Sequence, residues 1–283
     1  MIRRISTTTA AVIAALATVM APVASASLPG DEPVTPLPRA HAHNDYEHER
    51  PLADALDHGF ASAEADIYLV GNELLVAHDP VDLDPSRTLE SLYLDPLRKR
   101  VEENDGRVFP GSKQQFLLWI DIKNTGEATY AELDKVLEEY GSMLSRYTDG
   151  KVKQNAVTAV ISGDRPIGTM KNQSERFAFV DGRMSDLGVE KDPAFMPFIS
   201  DNWTKHFTWQ GQGEMPAAER EKLDDVVRTA HANGQRVRFW ATPDADTPER
   251  ENLWRELVDA DADLINTDDL AGLEHFLRDE DGS

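Results

Sequence analysis

Four short segments of this chain gather residue types that do chemistry: His41-Ala42-His43-Asn44, Glu64-Ala65-Asp66, Ala77-His78-Asp79 and Asp121-Ile122-Lys123. Three of them close short apolar runs, where alternate side chains of an extended strand face the same way. His41 then shares a face with His43, Glu64 with Asp66, and Asp121 with Lys123. The run Leu74–Ala77 follows a Gly71-Asn72 turn and returns His78 towards the same end. Three carboxylates with the Asn44 amide oxygen make a hard oxygen cage, suited to Mg2+ or Ca2+ rather than zinc. A divalent ion there would relieve the mutual repulsion of the acids. Imidazoles titrate near neutral pH, so His43 and His78 beside the ion would serve as general base and general acid. Lys123 would hold a phosphoryl oxygen as a point charge. Together these groups describe phosphoryl transfer by electrostatic clamping.

Such a set works only if the chain carries the segments to one place. Candidate strands are Arg39–His43, Ala61–Leu69, Phe116–Ile122, Val157–Ser162, Phe177–Asp181, Phe198–Asp201, Arg236–Trp240 and Leu264–Thr267. Between most of them lie stretches of helical period: Leu89–Asn104, Thr129–Leu144, Ala217–Asn233, Glu249–Asp259 and Asp269–Leu277. Regular strand–helix alternation predicts a parallel sheet with helices packed outside it. Eight strands favour closure into a single (β/α)8 TIM barrel, and no Gly-x-Gly-x-x-Gly or Walker-type loop supports an open doubly wound sheet. Polar residues recur where the strands end: Ser162 and Asp164, Asp181 and Arg183, Asp201, Trp240, and Asn266 to Asp268, besides the four segments above. In a barrel these ends open onto one face, where the active site lies.

The 283 residues include 51 acidic and 29 basic ones, for a net charge of −22, and no cysteine. That acidity opposes non-specific binding to nucleic acid or to anionic membranes, so nucleic-acid partners are excluded and membrane contact is at most peripheral. Without cysteine, disulfides cannot stabilise the fold. Arg3 and Arg4, the apolar stretch Ala10–Val23 and the small-x-small pattern Ala24-Ser25-Ala26 predict a signal peptide over residues 1–26 and a secreted, extracellular product. The apolar stretch is shorter than the ~20 residues of a membrane span. Residues 27–38, with Pro29, Pro33, Pro36 and Pro38, read as an extended lead-in to one domain over 39–283. No obligate protein partner is evident.

His43-Asn44, Glu64-x-Asp66, His78 and Asp121-x-Lys123 resemble, in type and order, motifs of the phosphatidylinositol-specific phospholipase C and glycerophosphodiester phosphodiesterase barrels, a group that includes sphingomyelinase D. The similarity continues through Ser200–Trp203, Arg238–Pro243 and Leu264–Leu270, and so spans Arg39 to Leu277. The resemblance implies that Glu64, Asp66 and Asp121 bind one divalent ion and that His43 and His78 form the acid–base pair. Asn44 stands where eukaryotic phospholipases C place a metal-ligating Asn, whereas glycerophosphodiesterases have Arg in a His-Arg-Gly motif. Their Pro-Glu-Asn-Thr stretch is replaced here by Glu47–Pro51. The resemblance thus implies a metal-dependent phosphodiesterase acting on a glycerophosphodiester or phospholipid-type diester. In those families a neighbouring substrate hydroxyl often attacks first, giving a cyclic phosphate.

Several residues remain secondary candidates for substrate contact: His41, Asp181, Arg183, Trp203, Trp209, Trp240 and Asn266. His41 fits a supporting role as well as a catalytic one, and Asp268-Asp269 reads as the cap of the final helix. The long segment Asp201–Pro216 carries Trp203, Phe207, Trp209 and Met215. It would either grip a lipid chain or a choline-type cation, or pack over the barrel as an aromatic plug. Rival readings of the whole chain are a phospholipase D-like or cyclising lyase on lysophospholipids or sphingomyelin, and a non-catalytic, metal-stabilised barrel that binds a partner. A glycoside hydrolase also uses paired carboxylates, but two histidines and a lysine around the acids suit phosphate better.

Overall fold

The computed structural model describes residues 34–281. The signal peptide and most of the lead-in expected from the sequence lie outside the described residues. In chain order the strands are β1 (Leu37–Ala42), β2 (Phe60–Val70), β3 (Glu73–Val76), β4 (Phe116–Ile122), β5 (Arg146–Thr148), β6 (Lys151–Lys153), β7 (Val157–Gly163), β8 (Glu175–Arg176), β9 (Ala178–Gly182), β10 (Phe198–Asn202), β11 (Arg236–Trp240) and β12 (Leu264–Thr267). The α-helices are α1 (Ala53–Asp57), α2 (Asp95–Glu103), α3 (Gly126–Glu139), α4 (Ile167–Asn172), α5 (Trp203–His206), α6 (Ala217–Ala232), α7 (Pro248–Asp259) and α8 (Leu270–Asp281).

Eight of the strands pair in the order β1-β12-β11-β10-β9-β7-β4-β2, and β2 returns to β1 to close a parallel barrel. They correspond to the eight strands expected from the sequence. Three differences have local causes. The first strand starts at Leu37, whose N–H donates to the Gly59 carbonyl, so Pro38 enters the strand near its beginning, where a missing N–H is tolerated. The strand expected from Phe177 starts at Ala178, and Glu175–Arg176 just before it join a small antiparallel sheet, β6-β5-β8, whose members are too short to leave a periodic signal. Strand β3 doubles back antiparallel on β2 across the Gly71-Asn72 turn, where Gly71 has φ +65°.

Alternation along β4 shows how the fold makes a site. Leu118, Ile120 and Ile122 face outwards into the same apolar layer as Ala63, Ala65 and Ile67 of β2 and Tyr130, Leu133 and Leu137 of α3. Leu117 and Trp119 face inwards and join Val160, Phe198 and Leu264 in a separate cluster that fills the floor of the barrel. The next inward position is Asp121. Burial of each large apolar side chain contributes roughly 1.5–3 kcal/mol, and these two layers offset the cost of the charges held above them. Among the described residues no helix is long and apolar enough to cross a membrane.

Candidate active site

Strands β2 and β4 pair in register, with Asp66 opposite Asp121 and Glu64 opposite Trp119. Asp66 and Asp121 therefore sit side by side at the mouth, with Glu64 one layer below. Each of the three offers a carboxylate oxygen, and these oxygens lie within 4.8 Å of one another. Gly163, with φ +70°, ends β7 beside them; a Cβ there would meet Asp121 Oδ1 at 2.5 Å and the Ile122 carbonyl at 2.3 Å. Glycine at that position is what lets β4 carry its acid so close to β7.

The acids are not equally provided for. Asp66 Oδ2 accepts from Lys123 Nζ at 2.8 Å and from the Tyr46 hydroxyl at 2.6 Å, and Lys123 also lies 3.2 Å from Asp121 Oδ1. Asp66 Oδ1 and Glu64 Oε2, in contrast, are buried with no hydrogen-bond partner. Burial and the charge of Glu64 push the Asp66 carboxyl above the ordinary range, and burial does the same to Asp121. Burial also raises Glu64, but His41, His43 and Arg238 outweigh it and hold Glu64 well below that range. Burial disfavours the Lys123 charge, yet Asp121 and Asp66 overcome this and keep the lysine protonated. A buried carboxylate oxygen without a hydrogen bond is costly, so two such oxygens in a cluster of three acids mark a place for a cation.

The two histidines flank this cluster. His43 Nδ1 lies 2.7 Å from Asp268 Oδ1, and its Nε2 points to Glu64 Oε2 at 3.6 Å. Burial lowers the His43 pKa, but the Asp268 contact and the charge of Glu64 raise it further. His78, about half exposed, places Nδ1 3.2 Å from Asp66 Oδ2 and 3.1 Å from the Tyr46 hydroxyl. Asn44 occupies the left-handed region at φ 48°, which asparagine tolerates, and its Nδ2 donates to Asp268 Oδ1.

Sequence reasoning missed three members of this constellation. Asp268 is not a helix cap: Asp269 alone performs that task, accepting from the Gly272 N–H, while Asp268 turns to His43. Its backbone is fixed by Asp244, which accepts from the Asp268 N–H at 2.8 Å. Tyr46 lies two residues beyond Asn44, just past the segment that the residue types single out. Arg238 is fully buried and lies 4.1 Å over the Trp119 ring; alternation from Arg236 through Arg238 to Trp240 was the available signal.

The secondary candidates divide. His41 is sealed beneath Glu64 with no exposure: Nδ1 donates to Ser62 Oγ at 2.7 Å and Nε2 accepts from Arg238. Burial and the Arg238 charge push its pKa down to about 3, so it is a neutral support and not a substrate contact. Asn266 is likewise buried, its Oδ1 accepting from Arg238 at 3.2 Å. Asp181 is fully buried in an ion pair with Arg183 and accepts from Ser200 at 2.6 Å and Ser162 at 3.2 Å. Trp203 and Trp209 are packed in the core. Trp203 stacks on Phe207 with centroids 4.0 Å apart and donates from Nε1 to the Trp209 carbonyl. The aromatic loop is thus packed over the outside of the barrel wall and is not a lipid grip, because four large apolar groups gain more by packing with α6 and β11 than by facing water. Arg183 and Trp240 do reach the mouth, the guanidinium 4.9 Å over the indole.

Comparison with known proteins shows the family and the fold. The model of the AIM6-like phosphodiesterase domain matches residues 31–181. The chain belongs to that family. A second model, the glycerophosphoryl diester phosphodiesterase family, matches residues 236–271. Together they support the wider superfamily that the motifs resemble. "Altered inheritance of mitochondria protein 6" of Eremothecium gossypii is 32% identical over 285 residues, covering 89% of this chain and 72% of that protein. The Arthroderma benhamiae homolog is 27% identical, covering 84% of this chain and 82% of its own. A glycerophosphoryl diester phosphodiesterase from Parabacteroides distasonis shares the barrel fold, with a TM-score of 0.50, 11% identity and 87% of both chains covered. The carboxylates and both histidines fall in the first matched stretch, and Arg238 and Asp268 in the second.

Proposed function

We propose that this AIM6-like barrel is a secreted phosphodiesterase that uses one Mg2+ or Ca2+ and cleaves a glycerophosphodiester or phospholipid-type diester. The observation that carries the reading is the pair of partnerless buried oxygens, Glu64 Oε2 and Asp66 Oδ1, in a three-carboxylate cluster flanked by His43 and His78. The donor set is all oxygen, which fits a hard divalent ion, and Glu64, Asp66, Asp121 and the Asn44 amide would hold it. When bound, the ion would supply Lewis acidity and offset charge developing on the phosphoryl group.

The chain's own residues divide the remaining work. His43, with Nδ1 on Asp268 and its basicity raised, takes the proton of the attacking hydroxyl at Nε2. His78, the more exposed imidazole, returns a proton to the leaving oxygen. Lys123, kept cationic by its two acids, offers a fixed positive charge to a phosphoryl oxygen. Support for export is the basic, apolar and small-residue pattern of residues 1–26.

The test is phosphorus NMR of the purified chain with glycerophosphodiesters, lysophospholipids and phosphoinositides, with Mg2+ or Ca2+ and then with chelator. A new phosphorus signal that disappears with chelator is the expected result, and its shift separates a cyclic from an open product. A panel left intact while the ion binds would overturn the catalytic assignment.

A further inference from the structure

One buried hydroxyl touches three members of the cluster at once. Tyr46 is 3% exposed, and its oxygen lies 2.6 Å from Asp66 Oδ2, 2.8 Å from Asn44 Oδ1 and 3.1 Å from His78 Nδ1. A tyrosine hydroxyl has one proton to give. Asp66 Oδ2 and Asn44 Oδ1 are both acceptors, so the proton serves one of them at a time. Turning the Asn44 amide over would not help, since Oδ1 would then face the Asp268 carboxylate, to which Nδ2 now donates at 3.3 Å.

The two acceptors are unequal in what else they have. Asp66 Oδ2 also receives Lys123 at 2.8 Å and has His78 Nδ1 within 3.2 Å. Asn44 Oδ1 has Tyr46 as its donor among the described residues. With the hydroxyl turned to Asp66, the amide oxygen is left without that donor and so is free for a cation. The same turn leaves the tyrosine lone pairs free to accept from His78 Nδ1, which orients that ring. Lys123 and Tyr46 together occupy Oδ2 of Asp66 and so leave Oδ1 as the oxygen available to a cation.

Resting on the reading above, we infer that Tyr46 is a positioning residue that ties the ion-holding oxygens of Asn44 and Asp66 to the orientation of His78. Ion affinity and turnover therefore depend on one hydroxyl that touches no substrate.

Tyr46→Phe removes that oxygen and keeps the ring that packs in the core. Tyr130→Phe is the control: it also deletes a buried hydroxyl, one that donates to Gln173 Oε1 at 2.7 Å and bonds to no member of the cluster. Calorimetric titration of each full-length variant with Mg2+ and Ca2+ is expected to show affinity lower by about 10–100-fold for Tyr46→Phe only. The kcat at saturating ion falls with it while KM for the diester holds, and the melting temperature moves no more than in the control. Wild-type affinity and kcat in Tyr46→Phe would overturn the inference. A wild-type chain that binds ions but cleaves no diester removes the catalytic reading and leaves the affinity comparison standing. Should the wild type bind no ion, crystal structures decide: displaced Asn44 and His78 side chains in the variant uphold the inference, and unmoved ones end it.

Discussion

The two halves of the barrel mouth treat buried acids in opposite ways. On the β9–β10 side, Asp181 accepts from two serines and pairs with Arg183, and Asp201 accepts from the N–H groups of Asn202 and Met184. The aromatics that follow are equally settled, Trp203 and Phe207 each meeting Phe239 edge-on. On the β2–β4 side, Glu64 and Asp66 each keep one buried oxygen with no donor. Folding alone rewards the first arrangement and penalises the second, since a buried carboxylate oxygen left without a hydrogen bond opposes stability. The difference teaches where to look for function: the side that is incomplete by itself is the side that acts on something else.

The contrast can be broken most decisively by turnover. His43→Ala and His78→Ala are each expected to lower kcat by about 10²–10⁴-fold while thermal melting stays near wild type. Full activity in both would transfer the chemistry elsewhere. On the settled side, Trp203→Ala should cost about 3–5 kcal/mol of stability by urea unfolding, yet leave turnover per folded molecule intact. Lost turnover in the folded fraction would mean that the loop reaches substrate after all. Next in size, Mg2+ or Ca2+ at 100 times its Kd should add about 2.7 kcal/mol to stability in a melting series, and Glu64→Gln should lose that increment.

The smallest effect sharpens the comparison most. Asp121→Asn should stabilise the ion-free chain by roughly 0.5–2 kcal/mol at neutral pH, because it removes a charge that burial disfavours. The Asp121 carboxyl is raised in the folded state, so its penalty is present above that pKa and vanishes as the pH falls and the acid protonates. The gain should therefore shrink in acid. The equivalent change on the other side, Asp181→Asn, should destabilise instead, leaving Arg183 without its acid. Equal signs for the two variants would dissolve the distinction between the halves.

Alternation and spacing made much of this legible in the chain itself. The period of two along Glu64-Ala-Asp66 and Asp121-Ile-Lys123 placed their side chains on one face, and the recurrence of polar strand ends implied a barrel. The register of β2 against β4 then brought Asp66 beside Asp121, something no single strand specifies. Asp268 shows the limit most clearly. By sequence it is one of two acids before a helix, and both could cap it; only the closing of β12 against β1, which pairs Asn266 with His41, brings Asp268 to His43 across 225 positions. Trp203 shows the converse, since an aromatic in a long loop reads equally as exposed or as packed until its contact with Phe239 is known.

Residue type and local period therefore determined which groups could bind an ion, carry a proton or hold a phosphate, and which element bore each. Which acids were paired and which were left wanting was decided by tertiary structure alone. A side chain's local face follows from its own strand, whereas its partners come from strands far away in sequence.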